Sequence, residues 1–261
     1  MSIVFDRAAG YYDATRGIPP EAGELIADRM EAAVGPGARF LEVGVGTGRI
    51  ALPLHRRGRR VTGVDLSVPM MAEYRRKAAA AGLPPPPLVR ADATRLPFRD
   101  GSADVVVEVH VLHLVPAWRE ALKELRRVLA PGGTYLLGRG GGHAEDPESP
   151  RNAVSRRMRE LIGEGPCSRV GAQDDDQKLE ALRALGGTVE PLEPVAWETH
   201  ETWADALAEI EGRMFSHSWS YPERTWADAA RRLRVEVEAD HPDLVEPVPV
   251  ASRFRLSAVR F

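Results

Sequence analysis

A chain of 261 residues with 43% hydrophobic and 28% charged side chains has ordinary globular composition, which excludes a wholly disordered protein and supplies a core for one large domain or two small ones. Its one cysteine, Cys167, excludes an internal disulfide and a cysteine-based zinc cluster. The formal charge of −3 is unevenly spread: residues 1–140 carry 20 basic against 15 acidic side chains and residues 141–261 carry 15 against 23, so the second half does not read as a grip for phosphate backbones.

The start, residues 1–17, carries acids and no long apolar stretch, and no apolar run anywhere reaches 18 residues. A secretory signal and a membrane span are therefore not expected, and the cytoplasm is the expected compartment. Residues 20–34 place apolar side chains at helical spacing and stop at Gly35-Pro36-Gly37. Strand patterns follow at 38–44, 59–65, 87–93, 103–111 and 134–140, with helical patterns at 48–58, 68–82 and 116–129 between them. Pro84 to Pro87 must be extended linker, because each fixes φ and lacks an N–H. The basic strip His55 to Arg60 reads as a solvated helix end. Strands separated by such helices imply right-handed crossovers and a parallel sheet, and an unbroken Val105-Val106-Val107 suits a strand covered on both faces.

Past Gly142 the rhythm changes. A helix is expected around 153–163, then a second whose cap is Asp176, then one strand across 187–200. Helical stretches at 202–215 and 223–239 and an alternating strand at 251–261 complete the chain. No internal repeat is visible.

The chemistry concentrates in Leu41 to Arg49, where a strand pattern passes into a helix pattern through Gly44, Gly46 and Gly48. Glycines at such a turn permit positive φ and let a ligand approach bare backbone. A dinucleotide fingerprint needs a further glycine at position 49, which is arginine here. Glu42 also has the wrong sign for a pyrophosphate, while it suits a cationic ligand. Asp65 ends the next strand, where a carboxylate can accept from both hydroxyls of a ribose.

Five motifs stand in register: E-V-G-V-G-T-G (42–48), V-D-L-S-V-P-M-M (64–71), R-A-D-A-T-R-L-P-F (90–98), A-D-V-V-V-E-V-H-V-L-H-L-V (103–115) and L-R-R-V-L-A-P-G-G (125–133). With the run F-D-R-A-A-G-Y-Y-D-A-T-R (5–16), they resemble class I S-adenosylmethionine-dependent methyltransferases of the ubiquinone/menaquinone-biosynthesis-like branch, its uncharacterised bacterial members included. The resemblance implies a Rossmann-like α/β fold: a mostly parallel seven-stranded sheet with an antiparallel last strand, helices on both faces and a helical cap. Residues 1–142 would form a helical cover and the cofactor-binding core. Residues 143–261 would complete the sheet at about 187–199 and 250–261, with cap insertions at about 143–170 and 200–245, all in one compact domain.

Carried over by position, the resemblance gives Glu42 and the backbone of Gly44, Gly46 and Gly48 to the methionine end of S-adenosylmethionine. Asp65 would take the ribose hydroxyls, Leu66 and Met70 the adenine face, and Asp92 and the Ala93 N–H the adenine edge. Val109 and His110 would line the methionine. Tyr12 and Arg16 would close over the cofactor, with Arg16 pairing its carboxylate.

Methyl transfer from a sulfonium needs mainly in-line alignment, which can supply on the order of 7–11 kcal/mol of the barrier. A base is required only if the acceptor must lose a proton early. The candidates are His113 and His110 past the fourth strand, His143 past the fifth, and His217. His110 and His113 lack an evident third ligand, so no metal is expected. Trp203, Met214, Phe215, His217, Trp219 and Tyr221 point to a small apolar or aromatic acceptor, with nucleic acid unlikely as a partner. The alternatives are methylation of RNA or protein, or cofactor binding without transfer. Oligomeric state is not legible.

Overall fold

The computed structural model describes residues 4–163, 170–172 and 174–261, with 141–144 described through their backbone alone. In chain order it contains α1 (Tyr12–Arg16), α2 (Pro20–Ala32), β1 (Arg39–Val43), α3 (Ala51–Arg56), β2 (Arg60–Asp65), α4 (Val68–Ala80), β3 (Leu88–Arg90), β4 (Ala103–Val109) and α5 (Trp118–Val128). Then come β5 (Leu129–Ala144), α6 (Pro150–Ile162), α7 (Asp175–Ala184), β6 (Thr188–Pro191), β7 (Val195–Glu201), α8 (Trp203–Glu211), α9 (Glu223–Asp240) and β8 (Val248–Arg260).

The expected α/β class holds, with one strand more than the seven anticipated. The sheet runs β3-β2-β1-β4-β5-β8-β6, and β7 also pairs with β8. Strands β1 to β5 pair in parallel, while β8 runs against β5, β6 and β7. The additional strand arises because 187–200 is not continuous: Pro191 and Pro194 interrupt it, since a proline cannot donate to a ladder. β6 then pairs with the end of β8 at 257–260 and β7 with its beginning at 248–254.

Side chains alternate across the sheet. Val105, Val107 and Val109 pack with Ile26, Leu54 and Tyr74 under α2, α3 and α4. Val106, Leu41 and Leu137 pack with Leu122, Leu125 and Leu182 under α5 and α7. A separate apolar cluster joins α6, α8 and α9 through Met158, Leu207, Ile210, Trp226 and Leu233.

Local signals worked with small corrections. Ser67 caps α4 by accepting from Met70 N at 3.3 Å. The cap of α7 is Asp174, not Asp176: its side chain accepts from Asp176 N at 2.8 Å, and the helix starts a residue earlier than Asp176. The Pro131-Gly132-Gly133 stop falls inside β5, where the pairing with β4 is irregular between Ala103 and Val105. In the basic strip, Arg57 pairs with Glu24, Asp28 and Glu31, so it fastens α3 to α2 instead of lying free in solvent.

Candidate active site

A cavity of about 300 Å³ opens at the carboxyl ends of the strands, over the point where the strand order reverses between β1 and β4. Its floor is the loop after β1. Gly44 N and Val45 N donate to Val64 O at 2.7 and 2.9 Å, which holds the loop against β2. Gly44 and Gly48 have φ of +74° and +73°. A Cβ on Gly44 would stand 2.0 Å from Val111 Cγ2, and one on Gly48 would stand 2.3 Å from the Tyr74 ring, so both positions exclude any larger residue.

Two carboxylates serve this floor. Asp65 reaches the cavity from the end of β2, its Oδ2 accepting from Gly46 N and its Oδ1 from Ser67 N, each at 2.8 Å. Each oxygen retains a further lone pair. Burial raises its pKa above the ordinary value despite those donors. Glu42 lies beneath the loop, 3% exposed, and its Oε2 has no partner among the described residues. Burial pushes its carboxyl up to about 8, against the attraction of Arg49.

The far wall is the turn after β4. Glu108, fully buried, accepts through Oε1 from Val111 N at 2.8 Å and Leu112 N at 3.1 Å. That carboxylate fixes the turn on which His110 and His113 stand. His110 is held at φ +57°, and its Nε2 donates to Gly140 O at 2.8 Å, which leaves Nδ1 as the acceptor nitrogen. Burial lowers its pKa to about 3, and the same cause lowers His113 to about 4. His217 faces the cavity from the segment after α8, stacked on Phe215 with centroids 5.9 Å apart, and burial lowers it to about 4. All three imidazoles are neutral at pH 7.

The roof is the N-terminal segment. Asp13 accepts from Thr47 Oγ1 and from Lys77 Nζ, each at 2.6 Å, and Asp6 accepts from Ser67 Oγ at 2.6 Å. These bonds latch the segment over the glycine loop. Arg16 lies between the rings of Tyr12 and Phe215, at 5.1 and 4.6 Å from their centroids, and donates to Met214 O at 3.1 Å. Phe5 packs on Trp219 at 5.1 Å.

Of the residues expected at the cofactor, Tyr12, Arg16, Gly44, Gly46, Asp65, Leu66, Met70, Ala93, Val109 and His110 line the cavity. Glu42 and Gly48 are outside the lining: Glu42 is buried beneath the loop, and Gly48 faces the Tyr74 ring. Asp92 is outside the lining: its Oδ1 accepts from Thr94 N at 2.9 Å and Thr94 Oγ1 at 2.8 Å, while Ala91 and Ala93 beside it face the cavity. Among the residues expected at the acceptor, Phe215 and His217 line the cavity and four do not, Tyr221 packing instead on Trp226 with centroids 5.6 Å apart. Trp203 stacks on His241 at 3.6 Å, Met214 offers its carbonyl to Arg16, and Trp219 backs Phe5 while donating to Arg213 O. The His143 side chain lies outside the described residues. Sequence reasoning missed Arg49, Val111, Leu114, Val115 and Ser216 in the lining, and Glu108 behind it. A lone glutamate inside the apolar run Val105 to Val109 was the available signal for Glu108.

An S-adenosyl cofactor fits what is present: a cradle that a Cβ would fill, an orphaned buried carboxylate oxygen for a cation, and a second carboxylate with lone pairs to spare. Among the described residues, no three His, Cys, Asp or Glu side chains group to hold a metal ion, and no helix is long and apolar enough to cross a membrane.

Residues 41–137 match the methyltransferase domain family. The chain is 41% identical over 117 residues to demethylmenaquinone methyltransferase of Thermus thermophilus, a match covering 44% of this chain and 50% of that protein. It thus spans about half the length of that relative. It is 30% identical over 209 residues to 27-O-demethylrifamycin SV methyltransferase of Amycolatopsis mediterranei, covering 78% of this chain and 74% of the relative. The crystal structure of the Bacillus subtilis YcgJ protein superposes with a TM-score of 0.58 at 19% identity, over 92% of this chain and 97% of that one, and shares the fold. A glycine cradle flanked by one buried and one half-buried carboxylate, set on this strand order and matched along most of a relative's length, shows that the chain belongs to the class I S-adenosylmethionine-dependent methyltransferase family.

Proposed function

We propose that the protein transfers a methyl group from S-adenosylmethionine to a small apolar or aromatic molecule by in-line displacement. The observation that carries this reading is the side-chain-free cradle at Gly44–Gly48, with the unpartnered Oε2 of Glu42 beneath it, opening onto a cavity roofed by Phe5, Tyr12 and Phe215. When bound, S-adenosylmethionine supplies a methyl group on a sulfonium, an electrophile that needs no further activation.

The residues then divide the work by position. Asp65 is oriented by two backbone donors and keeps one lone pair per oxygen for a pair of ribose hydroxyls. Leu66, Met70 and Ala93 supply an apolar slot for the adenine. Glu42 offers its free oxygen to the ammonium of the methionine end. His110 keeps Nδ1 as an acceptor, and His113 and His217 present neutral imidazoles across the cavity. The latched N-terminal segment excludes water from the path of transfer.

Binding of S-adenosylhomocysteine by isothermal calorimetry, followed by mass spectrometry of an acceptor panel incubated with S-adenosylmethionine, tests the reading. Micromolar binding and a product 14 mass units heavier, the mass of one CH₂, is the expected result. Absence of binding would overturn it.

A further inference from the structure

Among the described residues that line the cavity, the charged ones are Arg16, Arg49 and Asp65. Neither arginine has a carboxylate within ion-pair distance among the described residues, whereas Arg29, Arg39, Arg57, Arg127 and Arg151 each do. Arg49 spends one N–H on Arg16 O at 2.5 Å, and Arg16 spends its own on Thr15 Oγ1 at 2.9 Å and Met214 O at 3.1 Å. Glu209 is near enough for Arg16 to feel its charge, yet Glu209 Oε1 is engaged by Arg151 at 2.6 Å. Burial accordingly pushes the Arg16 guanidinium below the ordinary arginine value.

Both guanidiniums stand by the Tyr12 ring, Arg16 at 5.1 Å and Arg49 at 5.8 Å from its centroid. Arg16 also lies 4.6 Å from the Phe215 ring and donates to Met214 O, while Arg49 follows directly on the glycine loop. The charge of Arg49 acts on Glu42 and His110, at the glycine loop. That of Arg16 acts on His113 and His217, and its plane lies over Phe215. A cofactor with one carboxylate and two cationic groups satisfies one arginine and adds positive charge. The other is left facing the acceptor.

On the methyl-transfer reading above, we infer that the acceptor is an anionic small molecule, a carboxylate or an acidic phenol or enol, whose oxygen is paired by Arg16 between Tyr12 and Phe215. Arg49, not Arg16, then takes the cofactor's carboxylate. A protonated amine is disfavoured, because it would join two guanidiniums and a sulfonium in a half-buried space. An acceptor arriving as its oxyanion also relieves the site of base chemistry. The oxygen lone pair forms the new O–C bond as the C–S bond breaks and its electrons return to sulfur, with no proton to move. That suits a cavity whose histidines are poor bases.

The test is binding to the full chain saturated with S-adenosylhomocysteine, using benzoate, benzyl alcohol and benzylamine as probes of one ring and three charges, followed by NMR titration. Benzoate is expected to bind about tenfold or more tighter than the other two, the scale of one charge-assisted pair. Arg16→Gln should abolish that preference and leave S-adenosylhomocysteine affinity within about threefold, whereas Arg49→Gln should weaken S-adenosylhomocysteine about tenfold. Benzoate binding no better than benzyl alcohol in the wild-type complex overturns the inference, whatever the variants do. So does the reverse pattern, with Arg16→Gln losing the cofactor product and keeping the benzoate preference. Failure of the wild type to bind S-adenosylhomocysteine is a separate result and removes the methyl-transfer reading itself.

Discussion

Lys178 of α7 brings its ammonium to within 3.9 Å of Glu108 Oε2 at the end of β4, with Glu108 wholly buried and Lys178 nearly so. Asp175 completes the group at 3.0 Å from Lys178 Nζ, and Tyr135 donates its hydroxyl to Glu108 Oε2 at 3.4 Å. Because Glu108 Oε1 holds the Val111 and Leu112 amides, this cluster ties α7 to the turn carrying His110 and His113. Removing one partner of a buried pair strands the other charge, which typically costs about 3–5 kcal/mol. Lys178→Met should therefore lower the unfolding free energy by roughly that amount, read from urea denaturation. A loss under about 1 kcal/mol would show that the pair is solvated in solution.

Glu42 links cofactor binding to protons. With its carboxyl raised to about 8 by burial, it is mostly protonated at pH 7 in the free protein. An ammonium placed at its free oxygen favours the ionised form, so binding should release close to one proton at pH 7. Calorimetry of S-adenosylhomocysteine in buffers of different ionisation heat measures this directly, and Glu42→Gln should abolish the release. For stability the sign is the unusual one for a carboxylate. The folded protein holds this proton while the unfolded chain has lost it above the ordinary glutamate value, so the contribution falls as pH rises from about 4.5 to about 8. Glu42→Gln should flatten that slope in thermal unfolding across the same window.

Asp65→Ala should weaken S-adenosylhomocysteine at least about tenfold, since a hydrogen bond to a charged group contributes about 1.5–3 kcal/mol. Unchanged affinity in a folded variant would remove Asp65 from the ribose.

The histidines at the cavity are neutral across the physiological range, because burial places His110 at about 3 and His113 and His217 at about 4. Turnover should accordingly show no histidine inflection between about pH 5.5 and 7.5, and carbon-bound imidazole protons followed by NMR should not titrate there. An inflection near 6.5 that disappears in His113→Ala would refute the assignment. His113→Ala should lower turnover more than it lowers cofactor affinity, and the opposite split would make the residue structural.

His110 stands at φ +57°, where an L-residue pays roughly 1–2 kcal/mol that glycine avoids. The bond to Gly140 O offsets part of that strain. His110→Gly should leave the midpoint of thermal unfolding within a few degrees of wild type, while His110→Ala, keeping the strain without the bond, should lower it further.

Much of this protein was written locally. The order of strands and helices, the glycine loop and Asp65 at the end of β2 follow from hydrophobic period, proline and glycine placement, and the spacing from Gly48 to the next strand. These depend on neighbours in the chain, and the structure keeps their order while moving their ends: α3 is Ala51–Arg56, β3 only Leu88–Arg90, and β5 extends over Leu129–Ala144. Pairings between distant segments were not written there. Phe215 and His217 reach the cavity whereas the equally aromatic Trp203 and Trp219 do not, because Trp203 stacks on His241 beside the α6, α8 and α9 cluster and Trp219 packs on Phe5 and donates to Arg213 O. Arg49 read as the residue that spoiled a dinucleotide fingerprint, and only the roof laid over it by Tyr12 and Arg16 makes it a cavity cation. Glu108 meets Lys178 on the sheet face covered by α5 and α7, a contact between segments 70 residues apart that no local pattern encodes. The sequence sets which segments are strands or helices through short-range backbone preference, while the site's charge balance depends on long-range packing, since burial and proximity exist only once the chain has closed.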